Sequence, residues 1–324
     1  MCSNLILKIM TIEEQDIEYF NNVSSRSNND IANQKREDIM VQIIKWISLQ
    51  LFGGISQPPS FLFENNDWNN LYHEMDQYLF TNLPEGYNRE NIVSLEPRQF
   101  GGRSHNYDFS IIYGANGRPD HVRNIEFKFN MTQVEDSPQF HSPFDPEPYI
   151  ISDIPFTRFH YDNYLSIFES FIGMNKPSYE EYKRQMKFSN NPTDPFLRAC
   201  QRKYYSGSDG SSQYTGLQED IEFYEISKDI SKESFRRYFE ICELNHEALT
   251  NIWLERQKNK EYMLFRDGRL NYQTIDEDSY KIVRVENRCP NFICKTMNDR
   301  TLKVLFRWKN GNGIAFPAFQ VKLI

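Results

Sequence analysis

The chain has 324 residues, 39% of them hydrophobic and 15% aromatic, which supplies a substantial buried core and excludes a disordered chain. Its formal net charge of −8 excludes a protein that coats nucleic acid by charge alone, yet suits an acidic metal site with a local basic surface. That length allows one large domain or a core with an appended module.

In chain order, the Asn- and Ser-rich stretch 21–33 reads as a connector. A helix is expected over 34–52, where Ile39, Ile43, Trp46, Ile47 and Leu51 recur at helical spacing and Gly53-Gly54 stops the pattern. A second is expected over 67–82, with Asp67 as N-cap and Trp68, Leu71, Tyr72, Met75 and Leu79 on its buried stripe. The period then changes. Three strands are expected over 92–96, 107–113 and 124–129, with GANGRPD turning between the second and third. Residues 138–155 read as irregular, helical patterns return over 157–172, 179–188 and 232–258, and SGSDGSS (206–212) reads as a loop. The last sixty or so residues regain strand character. Their strongest signal is a hairpin, 302–308 and 314–323 around KNGNG, whose Pro317 suggests a sheet edge.

Within 107–130, alternation places Ile125, Phe127 and Phe129 on one face of the third strand, and Glu126 with Lys128 on the other. On the second strand Phe109, Ile111 and Tyr113 form the apolar side, with Asp108 opposite. Pairing of the two strands then brings Asp108, Glu126 and Lys128 to one end of a sheet. Two carboxylates and an ammonium suit phosphodiester hydrolysis: oxygen ligands hold Mg²⁺, and a lysine orients water and offsets charge. The competing explanation is a solvated strand face carrying a surface ion pair.

An Asp on one strand followed by Glu-x-Lys on the next resembles the PD-(D/E)xK, or restriction-endonuclease-like, nuclease superfamily. The resemblance rests on Asp108 and Glu126-Phe127-Lys128 and covers roughly 67–164, although Tyr107 stands where many members have proline. It implies a nuclease dependent on Mg²⁺ or Mn²⁺, acting on DNA in preference to RNA, with Asp108 and Glu126 as ligands and Lys128 beside the water. The superfamily often adds a carboxylate from the preceding helix. Glu74 is the first choice for it, with Glu64 and Glu37 behind, and Gln139 resembles a supporting glutamine found in some members.

Arg103 is a candidate phosphate contact, and His105 a weaker one. In the terminal hairpin Lys303, Arg307 and Lys309 are candidate nucleic-acid contacts, among further basic residues at that end. The six histidines show no HxH or HExxH grouping, and no phosphate loop, serine elbow or Cys–His pair is present. Cys2, Cys200, Cys242, Cys289 and Cys294 form no disulfide framework and are expected to be reduced thiols. No signal peptide or membrane span is apparent, so an intracellular setting, cytoplasmic or nuclear, is expected.

These readings combine into an α/β protein: a mixed central sheet flanked by helices, as in a restriction-endonuclease-like core, with a β-rich C-terminal extension. The expected divisions are an N-terminal helical region (1–60), a nuclease core (61–175), a helical insertion (176–260) and a β-rich part (261–324). The alternative function is a nucleic-acid-binding or assembly protein that keeps the fold without catalysis.

Overall fold

The computed structural model describes residues 12–22, 29–54, 57–100, 105–136, 139–141, 147–186, 191–287, 291–308 and 317–324. Its longer helices are α1 (Asn29–Phe52), α2 (Asn66–Leu79), α3 (Phe156–Asn163), α4 (Tyr179–Met186), α5 (Pro195–Gly207), α6 (Gln218–Ile241) and α7 (His246–Lys258). Its strands are β1 (Ile92–Gln99), β2 (Phe109–Ala115), β3 (His121–Phe129), β4 (Gln139–His141), β5 (Ile150–Ile151) and β6 (Glu243–Leu244), then β7 (Glu261–Arg266) and β8 (Arg269–Gln273). The set closes with β9 (Ile282–Asn287), β10 (Phe292–Thr296), β11 (Thr301–Trp308) and β12 (Pro317–Leu323).

The architecture is mixed α/β, and the chain forms two compact units. One takes the described residues up to Asp136 together with Arg256–Ile275; the other takes those of Ser137–Glu255 and Asp276–Ile324. This grouping differs from divisions drawn in chain order, because the first sheet completes itself with β7 and β8 from late in the sequence.

The first unit is a five-stranded sheet in the order β1-β2-β3-β7-β8. All neighbours are antiparallel except β3 and β7, which run parallel with Ile125 beside Glu261 and Lys128 beside Leu264. Gly117, with φ +70°, serves the turn from β2 to β3. From β7 to β8 the chain turns through Asp267-Gly268, both at positive φ, as a two-residue hairpin of this twist requires. One face of the sheet is apolar, because Ile111, Ile125, Phe127, Met263 and Phe265 alternate onto it. Against them pack Ile39, Ile43 and Ile47 of α1 and Trp68, Leu71, Met75 and Leu79 of α2. Helix α2 begins one residue earlier than the pattern suggested. Its N-cap is Asn65, whose side chain accepts from the amides of Asp67 and Trp68.

The second unit has a five-stranded antiparallel sheet, order β4-β12-β11-β10-β9, and a two-stranded one, β5-β6. The expected terminal hairpin is present as β11-β12, while its KNGNG turn lies outside the described residues. β12 is an inner strand, against the edge position that Pro317 suggested. The three-residue β4 pairs only with 319–321, so Pro317 stands beyond the part that a neighbour covers.

The helix expected over 232–258 is two, α6 and α7, interrupted where β6 pairs with β5. Helix α5 was not anticipated, although Asp194 capping the Leu197 amide and Pro195 in the first turn are an ordinary start signal. Among the described residues Cys200, Cys242 and Cys294 are buried thiols outside any disulfide. No helix among the described residues is long and apolar enough to cross a membrane.

Candidate functional site

The site is built at one end of the β2–β3 hairpin, within the first unit. Asp108 stands immediately before β2. Its own amide donates to the Ile125 carbonyl at 2.8 Å, which extends the ladder by one residue and fixes where the carboxylate starts. One carboxylate oxygen, Oδ2, accepts the Phe127 amide at 2.8 Å; the other has no hydrogen-bond partner among the described residues. Glu126 and Lys128 flank that amide on β3. Their half-buried side chains share the face opposite Ile125 and Phe127, as strand alternation dictates, and they form an ion pair through Glu126 Oε1.

A second lysine completes the arrangement. Lys260 directly precedes β7, and the parallel register turns it to the face shared by Tyr262, Glu126 and Lys128. Its ammonium pairs with Glu126 Oε2, donates to the Asn106 carbonyl at 2.9 Å and lies 5.3 Å from the Tyr262 ring centroid. Asn106 in turn donates its side-chain amide to the Arg256 carbonyl. Nothing in the local pattern around Lys260 announces this role; only pairing across 134 residues reveals it.

Glu37 comes from α1. That helix is anchored next to it by Arg36, which is fully buried, lies 3.6 Å over the Phe129 ring and donates to the Tyr19 carbonyl at 2.7 Å. The neighbouring Asp38 accepts from the Gln99 side chain at the end of β1.

Electrostatics bind these groups into one system. Burial, then Asp108, Asp38 and Glu126, push the Glu37 carboxyl up to about 8, with Lys128 opposing. Burial and Glu126 push Asp108 up to about 6 against the pull of Lys128, the Phe127 amide and Lys260. Burial acts on Glu126 in the same sense, but the two lysines outweigh it and its pKa falls below the ordinary value. Lys128 is raised, because Glu126 outweighs burial there. Lys260 is lowered, because burial wins: its side chain is 5% exposed against 23% for Lys128.

The structure therefore brings Asp108, Glu126 and Lys128 together and adds Glu37 and Lys260. Glu74 is engaged elsewhere: its carboxylate accepts the Leu270 amide at 2.9 Å, at the β8 edge of the sheet two strands from β3. Sequence proximity to the three strands favoured Glu74 over Glu37, and the closing of the sheet by β8 gave it a different partner. Arg103 and Lys309 lie outside the described residues, as do the side chains of Gln139 and Arg307. His105 is exposed, with its ring centroid 4.5 Å from that of Phe100. Lys303 is half-buried on β11, in the second unit, directly across from the exposed Lys322.

Carboxylate oxygens are hard donors, and the Asp108, Glu126 and Glu37 set is chemically suited to Mg²⁺ or Mn²⁺. Among the described residues no three His, Cys, Asp or Glu side chains already surround one point, and Glu126 has both oxygens on ammonium groups. The donors fit such a cation provided that Glu126 releases one of them.

No family model matches the chain, and no curated protein matches it. Among solved structures it is similar to the restriction endonuclease MspI in complex with its cognate DNA, at 12% identity and a TM-score of 0.31, over 99% of each chain. A likeness at that score does not by itself define a shared fold.

Proposed function

We propose that the protein is a divalent-metal-dependent nuclease that hydrolyses phosphodiester bonds, DNA in preference to RNA. The observation that supports the reading is the meeting of Asp108, Glu126 and Lys128 on a paired hairpin, with Glu37 reaching the same charge system from α1. The order of elements leading to it, a helix and then three strands, is the order that the PD-(D/E)xK resemblance covers.

Asp108, Glu126 and Glu37 would hold Mg²⁺ or Mn²⁺. Bound there, such a cation supplies charge neutralisation at the phosphate and makes water more acidic. The remaining work belongs to side chains. Lys128 is charged and half-buried beside the carboxylates, where its ammonium offsets the charge that builds on phosphorus oxygens and orients the attacking water. The Phe127 amide fixes one oxygen of Asp108, and the other would be the one to take the cation. The C-terminal sheet, with Lys303 beside Lys322, supplies positive charge for a phosphate backbone, a role also proposed for Arg307 and Lys309. Gln139 and Arg103 keep their proposed supporting roles.

The test is cleavage of labelled single- and double-stranded DNA and RNA with Mg²⁺, Mn²⁺ or EDTA, comparing the wild type with Asp108→Ala and Lys128→Ala after both are shown to fold. Metal-dependent cutting lost in both variants supports the reading. A wild type that cuts nothing and gains no stability from metal overturns it in favour of a binding protein.

A further inference from the structure

Glu126 commits both carboxylate oxygens to ammonium groups, Oε1 to Lys128 and Oε2 to Lys260. The two lysines differ in kind. Lys128 is a near neighbour on the same strand and is the residue that the nuclease motif requires. Lys260 is brought by β7, is almost wholly buried and holds a second acceptor, the Asn106 carbonyl, at 2.9 Å. A cation that ligates Glu126 through Oε2 must first displace Lys260.

We propose that Lys260 competes with the divalent cation for Glu126 and so sets the metal affinity of the site. The inference rests on the nuclease reading above and adds to it a residue outside the Asp and Glu-x-Lys pattern. Release is feasible because Lys260 has somewhere to go. It already holds the Asn106 carbonyl, and it lines a cleft of about 680 Å³ with Asn106, Asn124 and Lys258, where the side-chain oxygens of the two asparagines accept from an ammonium that has left its carboxylate. The exchange also keeps Glu126 paired, since a cation arrives as an ammonium departs, and an unpaired buried charge is the costly alternative.

A merely structural Lys260 gives the opposite sign. If it only holds Glu126 in place, its removal loosens a ligand and weakens metal binding. If it competes, its removal strengthens binding.

Mn²⁺ binding is read directly by the paramagnetic resonance of the free ion, on the full chain, for the wild type, Lys260→Met, Lys260→Gln, Lys260→Arg and Lys258→Met. Lys260→Met is expected to bind Mn²⁺ about ten-fold tighter or more, since a full charge leaves hydrogen-bond distance of a ligand. Lys260→Gln keeps a donor for Asn106 and should show the same gain, which preserves the test if the Met variant does not fold. Lys260→Arg, which retains the charge, should stay near the wild type. Lys258→Met removes one positive charge from the same cleft and should change affinity by no more than about two-fold, because a more distant charge is screened.

Equal or weaker binding in Lys260→Met and Lys260→Gln, with a wild type that binds, overturns the inference and leaves the nuclease reading standing. An equal gain in Lys258→Met overturns it too, because net charge alone then explains the effect. No binding in the wild type or any Lys260 variant overturns both readings, whereas binding that appears only when Lys260 is replaced supports the competition.

Discussion

Asp108 accepts the amide hydrogen of Phe127 at 2.8 Å, so the carboxylate is held by the backbone at the residue between Glu126 and Lys128. An asparagine in its place still accepts that hydrogen bond but carries no charge. Burial and Glu126 raise the Asp108 pKa to about 6, above its unfolded value. A raised acid favours the fold at pH below its unfolded pKa, and that favour is lost as pH rises through about 6. Asp108→Asn is therefore expected to melt at or above the wild type at pH 7.5 while losing at least about a hundred-fold in cleavage. Asp108→Ala should lose the cleavage and also melt lower. Thermal melts beside a cleavage assay separate the two effects.

The two helix glutamates should trade places in their consequences. Glu37→Gln is expected to weaken Mn²⁺ binding about ten-fold, because it removes a carboxylate from the charge system around Asp108. Glu74→Ala should leave Mn²⁺ affinity unchanged and cost roughly 0.5–1.5 kcal/mol of stability, the worth of the bond to the Leu270 amide. A metal titration and a urea denaturation on each variant check this. Loss of Mn²⁺ affinity in Glu74→Ala alone would return that residue to the site.

Arg123, on β3, has a side chain 2% exposed, donates through Nε to Glu261 at 2.6 Å and faces the carbonyls of Tyr78, Leu79 and Thr81 at the end of α2. Glu261 also accepts from the Tyr78 hydroxyl at 3.0 Å. This cluster joins β3, β7 and α2 on the sheet face opposite Glu126 and Lys128. Arg123→Met is expected to cost about 3 kcal/mol, since it leaves the half-buried Glu261 with the Tyr78 hydroxyl but without its cationic partner. Adding Glu261→Met should recover a good part of that loss in urea denaturation. A single variant as stable as the wild type would refute the account.

His160, on α3 in the second unit, is buried, and neither of its ring nitrogens has a hydrogen-bond partner among the described residues. Burial, then Lys176, lowers its pKa to about 3. For a lowered base the stability is present above the unfolded value near 6.5 and lost as pH falls toward 3. At pH 5 that loss is about 2 kcal/mol. Phenylalanine should keep the stacking on Tyr164, whose ring centroid is 5.7 Å away, and remove the acid sensitivity. Denaturation midpoints of His160→Phe and wild type should converge near pH 7.5 and separate at pH 5.

How far the sequence speaks depends on how local each signal is. The meeting of Asp108, Glu126 and Lys128 was legible because strand alternation and a turn of a few residues decide it. The second helix was legible but misread by two residues at its cap, where Asn65 outcompetes Asp67, and by three at its end. Lys260 was not legible, because a parallel ladder carries no turn chemistry and its register with β3 is set by packing of the whole sheet. Glu37 and Glu74 were both visible as helix carboxylates. What separated them was the partner each one found, and Leu270 reaches Glu74 from 196 residues away. The same distance in sequence explains why the two units are not the divisions suggested by order along the chain.

The parallel pairing of β3 with β7 also sets a schedule for biosynthesis. The ribosome delivers Glu126 and Lys128 in a hairpin whose β3 edge is still unpaired, and the lysine that pairs with the other oxygen follows 134 residues later. At roughly 5–20 residues per second that interval is on the order of ten seconds, time enough for the intervening α3 to α6 segment to collapse around its own core. A nascent chain halted before β7 thus exposes an unsatisfied strand edge and a carboxylate with one cation instead of two, and any enzyme activity must wait for nearly the whole polypeptide to emerge.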